Sequence, residues 1–437
     1  MGSADSSSSP VDAASFAYAV GIDIGSESCS LCTLRADKSP VGKPTTFANA
    51  PAGFGLLQER LEQLGVPPQQ ILIGLEATSR YGENLYHFLQ RHGYAVCLLH
   101  PRQTHQFAQQ RGLRAKTDRL DATTIARMLL SGEARRSYVP SPVIVTYREL
   151  VRLHSQLSDE AARYKNELQA LLVVLFPEFS QVFADPCRPT ALGLLKRYPS
   201  APAFVQAGVE AIAAKLHELA PHHYGRATAQ QLVQLAQHSV SQGIAVAARS
   251  LSLQILCDQL EHTQANLTRL EEEIESLLDR DGEVKALTAM REFGDKTVAV
   301  LRAELGDVSR FDRTDQVVAY AGLDIEVKQS GKYKGETKLS KRGSGRIRRV
   351  LYLAAMRSIR LPGSAFGAYY RRLVARGMKK REALVAVMRK MLIVVYRLLR
   401  TQEAYDPTKV CAVSVPPPVG APTRHTPSRT KLVAARA

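Results

Sequence analysis

The sequence predicts three successive regions: an α/β domain, a central helical region with coiled-coil character, and a basic, mainly α C-terminal domain. Three observations predict this. Short apolar runs alternate with helix-spaced segments up to about residue 140, the pattern of an α/β fold. From Tyr147 the apolar residues instead step by threes and fours. The positive charge is concentrated near the C-terminus. The 437 residues leave room for two or three domains. The expected divisions are a disordered tail (1–16), the α/β domain (17–140), a helical coiled-coil domain with an insertion (141–283), the basic domain (284–405) and a Pro-rich disordered tail (406–437).

The first strand is expected over Val20–Leu34, around Gly21-Ile22-Asp23-Ile24-Gly25. An acid inside an apolar strand is costly unless it is paired or holds a metal, and the flanking glycines suggest close backbone approach. A helix follows over 51–64. Ile71–Glu76 is a second apolar strand that ends on an acid. A helix over 80–92, a third strand over Tyr94–Leu99 and a helix over 118–131 complete the domain. Ligands of such sheets gather at strand C-terminal ends, which is where Glu76 falls.

In the middle region, Leu253, Leu256, Leu260, Thr263, Leu267, Leu270, Ile274 and Leu277 alternate steps of three and four. That spacing is a heptad seam, able to pair within one chain or between chains. Residues 180–250 look like an irregular helical insertion, with His222 and His223 on a surface turn. Ala286–Phe311 reads as helix, turn, helix. Gly294 there opens a helix whose N–H groups could face a phosphate. Gly294-Asp295-Lys296-Thr297 resembles the end of a Walker motif, but the upstream glycine is absent, which excludes an ATPase of that type. Basic helices are expected over 346–360 and 378–400. Six prolines fall in the last 32 residues.

The net charge is +17, and residues 331–400 alone hold 20 Lys or Arg against Glu336 and Glu382, a net of +18. One region therefore carries the whole excess, which points to a polyanionic partner, most naturally nucleic acid. No apolar run reaches the ~18 residues of a membrane span, and the Ser-rich start is not a signal peptide. Six scattered cysteines indicate a reduced, cytoplasmic protein. Cys29 and Cys32 form a lone C-x-x-C inside a strand and read as buried small residues.

The chemistry lies in the acids. Asp118 and Asp121 are three residues apart at a helix start and share one face. Alone, the pair is explained as a solvated acidic first turn favoured by the helix dipole. With Asp23 and Glu76, four carboxylates from three elements of one domain could hold two divalent ions for phosphoryl transfer, and Mg2+ suits such a site.

Three stretches appear in order: Gly21-Ile22-Asp23, then Leu75-Glu76-Ala77-Thr78 with Tyr81, then Gly112-Leu113-Arg114 running through Lys116-Thr117-Asp118 to Asp121-Ala122. They resemble the RuvC-like, RNase H-fold domain of DEDD insertion-sequence transposases of the "one-ten" family, relatives of Piv-type DNA invertases. Ala321-Gly322-Leu323, the Ser330-Gly331 loop and Ser340-Lys341-Arg342-Gly343 are similar to that family's C-terminal serine domain. The resemblance covers about 18–135 and 284–405. It implies a recombinase acting on donor and target DNA, guided by a structured bridge RNA. It further implies Mg2+ held by Asp23, Glu76, Asp118 and Asp121, and Ser330 as the nucleophile that links covalently to DNA. Ser340 is the second choice. Arg114, Lys116, Lys332, Lys334, Lys338, Lys341, Arg342, Arg346, Arg348 and Arg349 are expected to contact nucleic acid. A homo-oligomer (dimer or tetramer), nucleoid-associated in action and without a membrane role, is expected, with the acids and the serine meeting within or between chains.

Two departures from the family stand out. The segment Arg291-Glu292-Phe293-Gly294 replaces the usual Pro-Gly-Ile-Gly turn, and 180–250 has no counterpart. The rival readings are a water-using metal nuclease or Holliday-junction resolvase, a non-catalytic nucleic-acid-binding protein, and a DNA invertase of the same chemistry.

Overall fold

Strand β1 (Tyr18–Ile24) lies at the middle of a five-stranded sheet, and the placement of every acidic candidate in the N-terminal region follows from it. In this computed structural model the described residues are 12, 15–76, 80–111, 118–241, 243–326, 329–330, 333–334 and 338–410. Of 118–120, 325–326, 329–330, 333–334 and 338 only the backbone is described. The tails expected to be disordered fall mostly outside these residues. The chain divides into two compact units, Met1–Ser141 with Ser309–Gln316, and Pro142–Val308 with Val317–Ala437.

In the first unit, β1 is followed by β2 (Ser28–Arg35), β3 (Thr45–Ala48), β4 (Ile71–Glu76) and β5 (Ala95–Leu99). Their order in the sheet is β3-β2-β1-β4-β5. β1 runs antiparallel to β2 and parallel to β4, and β4 runs parallel to β5. This mixed sheet is compatible with an RNase H-like domain. The single strand expected over Val20–Leu34 is in fact a hairpin. Gly25 donates its N–H to the Ser28 carbonyl and the chain reverses. Both arms are buried, so the apolar pattern continues across the turn and conceals it. The edge strand β3 has only four residues, too few for a periodic signal.

Helices α1 (Pro51–Glu62), α2 (Glu83–Arg91), α3 (Pro101–Gln110) and α4 (Asp118–Leu129) cover the sheet. Strand side chains alternate between faces. Val20, Ile22, Ile71, Ile73 and Leu75 pack with Phe54, Leu57, Leu85 and Leu89 of α1 and α2. Ala19 and Leu72 face the other way, with Phe107, Ile125 and Leu129 of α3 and α4.

The second unit is helical. The long helix α5 (Pro142–Leu175) leads to α6 (Pro189–Arg197), α7 (Ala201–Leu219), α8 (Arg226–Gln237) and a second long helix, α9 (Val246–Arg280). α5 and α9 pack against each other within the chain. Leu253, Leu260, Thr263 and Ile274 of the heptad seam are buried, as are the neighbouring Cys257 and Leu278. Between the two helices, buried His154 places Nε2 2.9 Å from Glu271. The supposed irregular insertion is an ordered helical core. Phe176, Phe179, Phe183 and Phe204 cluster there, with Phe176 and Phe204 ring centroids 5.2 Å apart. Aromatic pairs at such spacing add to area burial. Exposed His222 and His223 do lie on the turn between α7 and α8.

The chain continues through α10 (Lys285–Thr288), α11 (Asp295–Leu305), α12 (Thr314–Tyr320), α13 (Gly345–Arg360), α14 (Ala365–Ala375) and α15 (Lys380–Thr401). α11 packs on both α5 and α13, and the helices of 141–283 and most of 284–405 fall in one compact unit. An ion-pair cluster ties α9 to α11. Arg302 Nε lies 3.0 Å from Asp281, and Nη2 2.6 Å from Glu283; the Arg302 and Asp281 side chains are only 5% and 7% exposed. Without Asp281, buried Arg302 would keep only the exposed Glu283 carboxylate, and removing the buried partner of a buried charge is strongly destabilising. Asp281→Ala is therefore expected to destabilise this unit by about 3–5 kcal/mol. Urea unfolding would measure it, and a loss below about 1 kcal/mol, the range of a surface pair, would contradict it.

Candidate active site

Asp23 and Glu76 are brought together by strand register. β1 and β4 pair in parallel with Ile22 opposite Leu75, so the next residue of each strand is the acid. Asp23 shares alternation with Ala19 and Gly21, and Glu76 with Leu72 and Gly74. Both therefore belong to the sheet face covered by α3 and α4. Glu76 is held by Thr104 of α3, whose hydroxyl donates to Oε2 at 2.8 Å. Asn49 ties the turn after β1 to the segment after β4, its side-chain amide donating to the Gly25 carbonyl at 3.0 Å and the Tyr81 carbonyl at 3.2 Å.

Helix α4, which carries Asp118 and Asp121, is seated on the same face of the sheet. A Cβ added at Gly21 would lie 2.1 Å from the Ala122 carbonyl oxygen and 2.5 Å from the Ala126 nitrogen. One added at Gly74 would lie 2.8 Å from Ile125 and 2.9 Å from a Leu129 methyl. The helix backbone thus rests directly on β1, and its side chains rest on β4. Ala122, which touches Gly21, follows Asp121, and Gly21 lies two residues before Asp23. Asp118 opens the same helix, and its side chain lies outside the described residues.

Three carboxylates on adjoining elements are hard oxygen donors of the type that Mg2+ or Mn2+ prefers, so the donor set fits a divalent cation. Among the described residues, however, no three His, Cys, Asp or Glu side chains converge as a metal-holding group. Cys29 and Cys32 are buried. Burial pushes the Cys29 thiol up to about 11, and the negative charge of Asp23 adds to the shift. This suits inert core thiols and not a redox or zinc pair.

Ser330 lies in the second unit, on a two-residue strand paired with Tyr333. Its side chain, and those of Lys334 and Lys338, lie outside the described residues, as do Arg114, Lys116 and Lys332 entirely. Lys341 and Arg342 are exposed. Arg346 lies 3.8 Å from Glu304, and Arg349 3.0 Å from Asp159. Arg348 turns back into the fold and donates to the Ala321 and Gly343 carbonyls at 2.9 and 2.8 Å. Within the Arg291–Gly294 turn the two middle residues are packed inward, Phe293 buried and buried Glu292 accepting a 2.6 Å hydrogen bond from Ser364, while Arg291 and Gly294 are exposed. Asp295 in the first turn of α11 further opposes an anion there.

Thr104 and Asn49 are the positioning groups that the sequence did not reveal. Thr104 sits one turn past Pro101 in a polar helix, and nothing in its local pattern marks it as facing Glu76.

Comparison with known proteins matches the two regions separately. A transposase family model of the DEDD IS110 type matches residues 20–177. A second, described as "Transposase IS116/IS110/IS902 family", matches residues 284–371. Together they span more than half of the chain and include all four acids and Ser330. Among relatives, the "Insertion element IS110 uncharacterized 43.6 kDa protein" of Streptomyces coelicolor is 27% identical over 299 residues, 67% of this chain and 72% of that one. The "Pilin gene-inverting protein" of Moraxella bovis is 22% identical over 393 residues, covering 89% of this chain and 97% of its own. The "Insertion element IS116 uncharacterized 44.8 kDa protein" of Streptomyces clavuligerus is 22% identical over 399 residues, 89% and 96% of the two chains. The chain belongs to the IS116/IS110/IS902 family of transposases, enzymes that cut and rejoin DNA.

Proposed function

We propose that this transposase breaks and rejoins DNA through Ser330, assisted by Asp23, Glu76, Asp118 and Asp121, with a structured RNA encoded beside the gene guiding it to its sites. The carrying observation is the placement of the acids. Two adjacent parallel strands carry Asp23 and Glu76 near their C-terminal ends, and α4, which bears the other two, is seated against glycines two residues before them. Two carboxylates side by side at the ends of neighbouring interior strands add nothing to stability, whereas phosphoryl transfer uses such groups to hold divalent ions.

The serine supplies what the acids cannot. Its oxygen forms a bond to phosphorus as the bond to the leaving strand breaks. The serine proton is lost to a base, and the departing strand end takes up a proton to become a hydroxyl. A second strand's hydroxyl then attacks the phosphoserine and releases Ser330 unchanged. One P–O bond is made for each one broken, so rejoining needs no nucleotide triphosphate. A free serine is a weak nucleophile and needs activation. When bound, Mg2+ would supply that activation and neutralise charge on the transferring group. The acids belong to one compact unit and Ser330 to the other, and the proposed reaction uses both.

The polyanionic partners are supported by the +18 of residues 331–400. A second reading, DNA inversion, is favoured by the match across nearly the whole Moraxella bovis protein, whose name describes inversion of a pilin gene. It shares the chemistry and differs in how the sites are arranged.

The test is to incubate the protein with its element's end DNA, RNA transcribed from the non-coding flank, and Mg2+, then resolve the products under denaturing conditions. A covalent protein–DNA species is expected, and Ser330→Ala should form none. A water-using nuclease would cut without any adduct in either protein, and adducts in Ser330→Ala would remove the serine from this role.

A further inference from the structure

The segment that carries Ser330 is closed at its base by a set of contacts that the proposed chemistry leaves unexplained. The segment forms two nested antiparallel pairings. Ile325 and Glu326 pair with Leu339 and Lys338, and farther out Gln329 and Ser330 pair with Lys334 and Tyr333. Each strand has only two residues, and a hairpin of that size is marginal by itself. Its geometry must be imposed from below.

Two layers impose it. In the upper layer Ser340 N–H donates to the Asp324 carbonyl at 3.1 Å, and the Ser340 hydroxyl donates to the Asp324 carboxylate. Backbone and side chain thus both close the ring between the two ends. Half-buried Arg389 on α15 lies within electrostatic reach of the Asp324 carboxylate. In the lower layer the two strands of chain touch. A Cβ at Gly343 would lie 2.0 Å from the Tyr320 carbonyl oxygen and 2.4 Å from the Gly322 nitrogen. Gly322 has φ +65°, and Lys341 takes a left-handed φ of +52° to turn the chain from Ser340 toward this contact. Arg348 spans the pair, donating to Ala321 on one strand and Gly343 on the other. Ser344 then caps α13 and donates to buried Glu304 at 2.9 Å, fixing the assembly to α11.

We propose that Asp324, Ser340 and Arg348 are positioning residues that set the orientation of the Ser330 hairpin for attack on phosphorus. The proposal rests on Ser330 being the nucleophile. It gives the second serine of this region, Ser340, a role that explains its hydrogen bond to a carboxylate without making it the attacking group. It also takes Arg348 out of the phosphate contacts. Displacing a reacting group by about 1 Å costs on the order of a hundredfold in rate, so a loosened base should act on the chemical step.

The experiment measures single-turnover adduct formation on the element's end DNA, with its flanking RNA and Mg2+, for Ser340→Ala, Asp324→Ala and Ser340→Thr. Nucleic-acid affinity and melting temperature are measured in parallel. Ser340→Ala and Asp324→Ala are expected to slow adduct formation by about 10- to 100-fold with affinity and melting temperature unchanged. Ser340→Thr, which keeps the hydroxyl, should restore most of the rate. An unchanged rate overturns the proposal, as does a loss that tracks melting temperature or affinity or that threonine fails to repair. Peptide mapping of the adduct separates the two claims. DNA on Ser330 with a normal rate in Ser340→Ala defeats the positioning role alone. DNA on Ser340 defeats both that role and Ser330 as nucleophile.

Discussion

Asp121→Asn is expected to lower DNA strand cleavage by about a thousandfold while leaving the fold and nucleic-acid binding intact. Asparagine keeps the size of the side chain and removes its charge. Asp121 is half-buried at the start of α4, which rests on β1 through Ala122 and Ala126. Those contacts are backbone and methyl contacts and do not involve the carboxylate, so the helix should stay seated. What changes is the negative charge that the site presents to a divalent ion. Such an ion contributes several kcal/mol to transition-state stabilisation, and about 1.4 kcal/mol is a factor of ten in rate. Cleavage rates at saturating Mg2+, with melting temperature and binding as controls, would check this. A rate within threefold of the parent would remove Asp121 from the catalytic group. A non-catalytic binding protein would show no cleavage to lose in either form.

Gly21→Ala should strongly destabilise the first unit. The added methyl carbon would sit 2.1 Å from the Ala122 oxygen and 2.5 Å from the Ala126 nitrogen. Both are backbone atoms of α4 and cannot rotate away. β1 is hydrogen-bonded on both sides, to β2 and β4, so it cannot retreat either. The helix must lift from the sheet and uncover Ile125, Met128 and Leu129, all buried. Overpacking of this kind costs about 1–3 kcal/mol and occasionally more, and here the upper end is expected, since no side chain can yield. Thermal unfolding should fall by about 10 °C. Cleavage should fall with it, because lifting α4 displaces the helix that carries Asp118 and Asp121 of the proposed site. A melting temperature within about 2 °C of the parent would show that the helix tolerates the shift. The contrast between the two substitutions is itself informative: Asp121→Asn separates activity from stability, whereas Gly21→Ala couples them.

Much of this was legible in local pattern. The glycines around Asp23 suggested close backbone approach, and one of them, Gly21, is where α4 makes contact. The ends of the apolar strands located Glu76, and the threes-and-fours spacing located α5 and α9. These readings succeed because periodicity records which side of an element is buried, and burial is a local property of the chain. The motif order and the confined positive charge pointed to a recombinase by resemblance.

Which surfaces meet is a different kind of fact, since each contact depends on residues far apart in the chain. Nothing local separates a long buried strand from a hairpin with two buried arms, so the turn at Gly25 was read through. The heptad seam announced a partner without saying whether it was α5 of the same chain. The phenylalanines of 176–204 are too widely spaced to signal a shared core until the helices fold together. Arg348 looked like one more cation in a basic run, and packing turned it inward onto two carbonyls, while Thr104 and Asn49 gained their positions only from strands and helices joined elsewhere. The acids could be named from the sequence as candidates, but the adjacency of Asp23 and Glu76 came from the parallel register of β1 with β4, and the seating of α4 beside them from the absence of a side chain at Gly21, which lets the helix lie directly on the sheet.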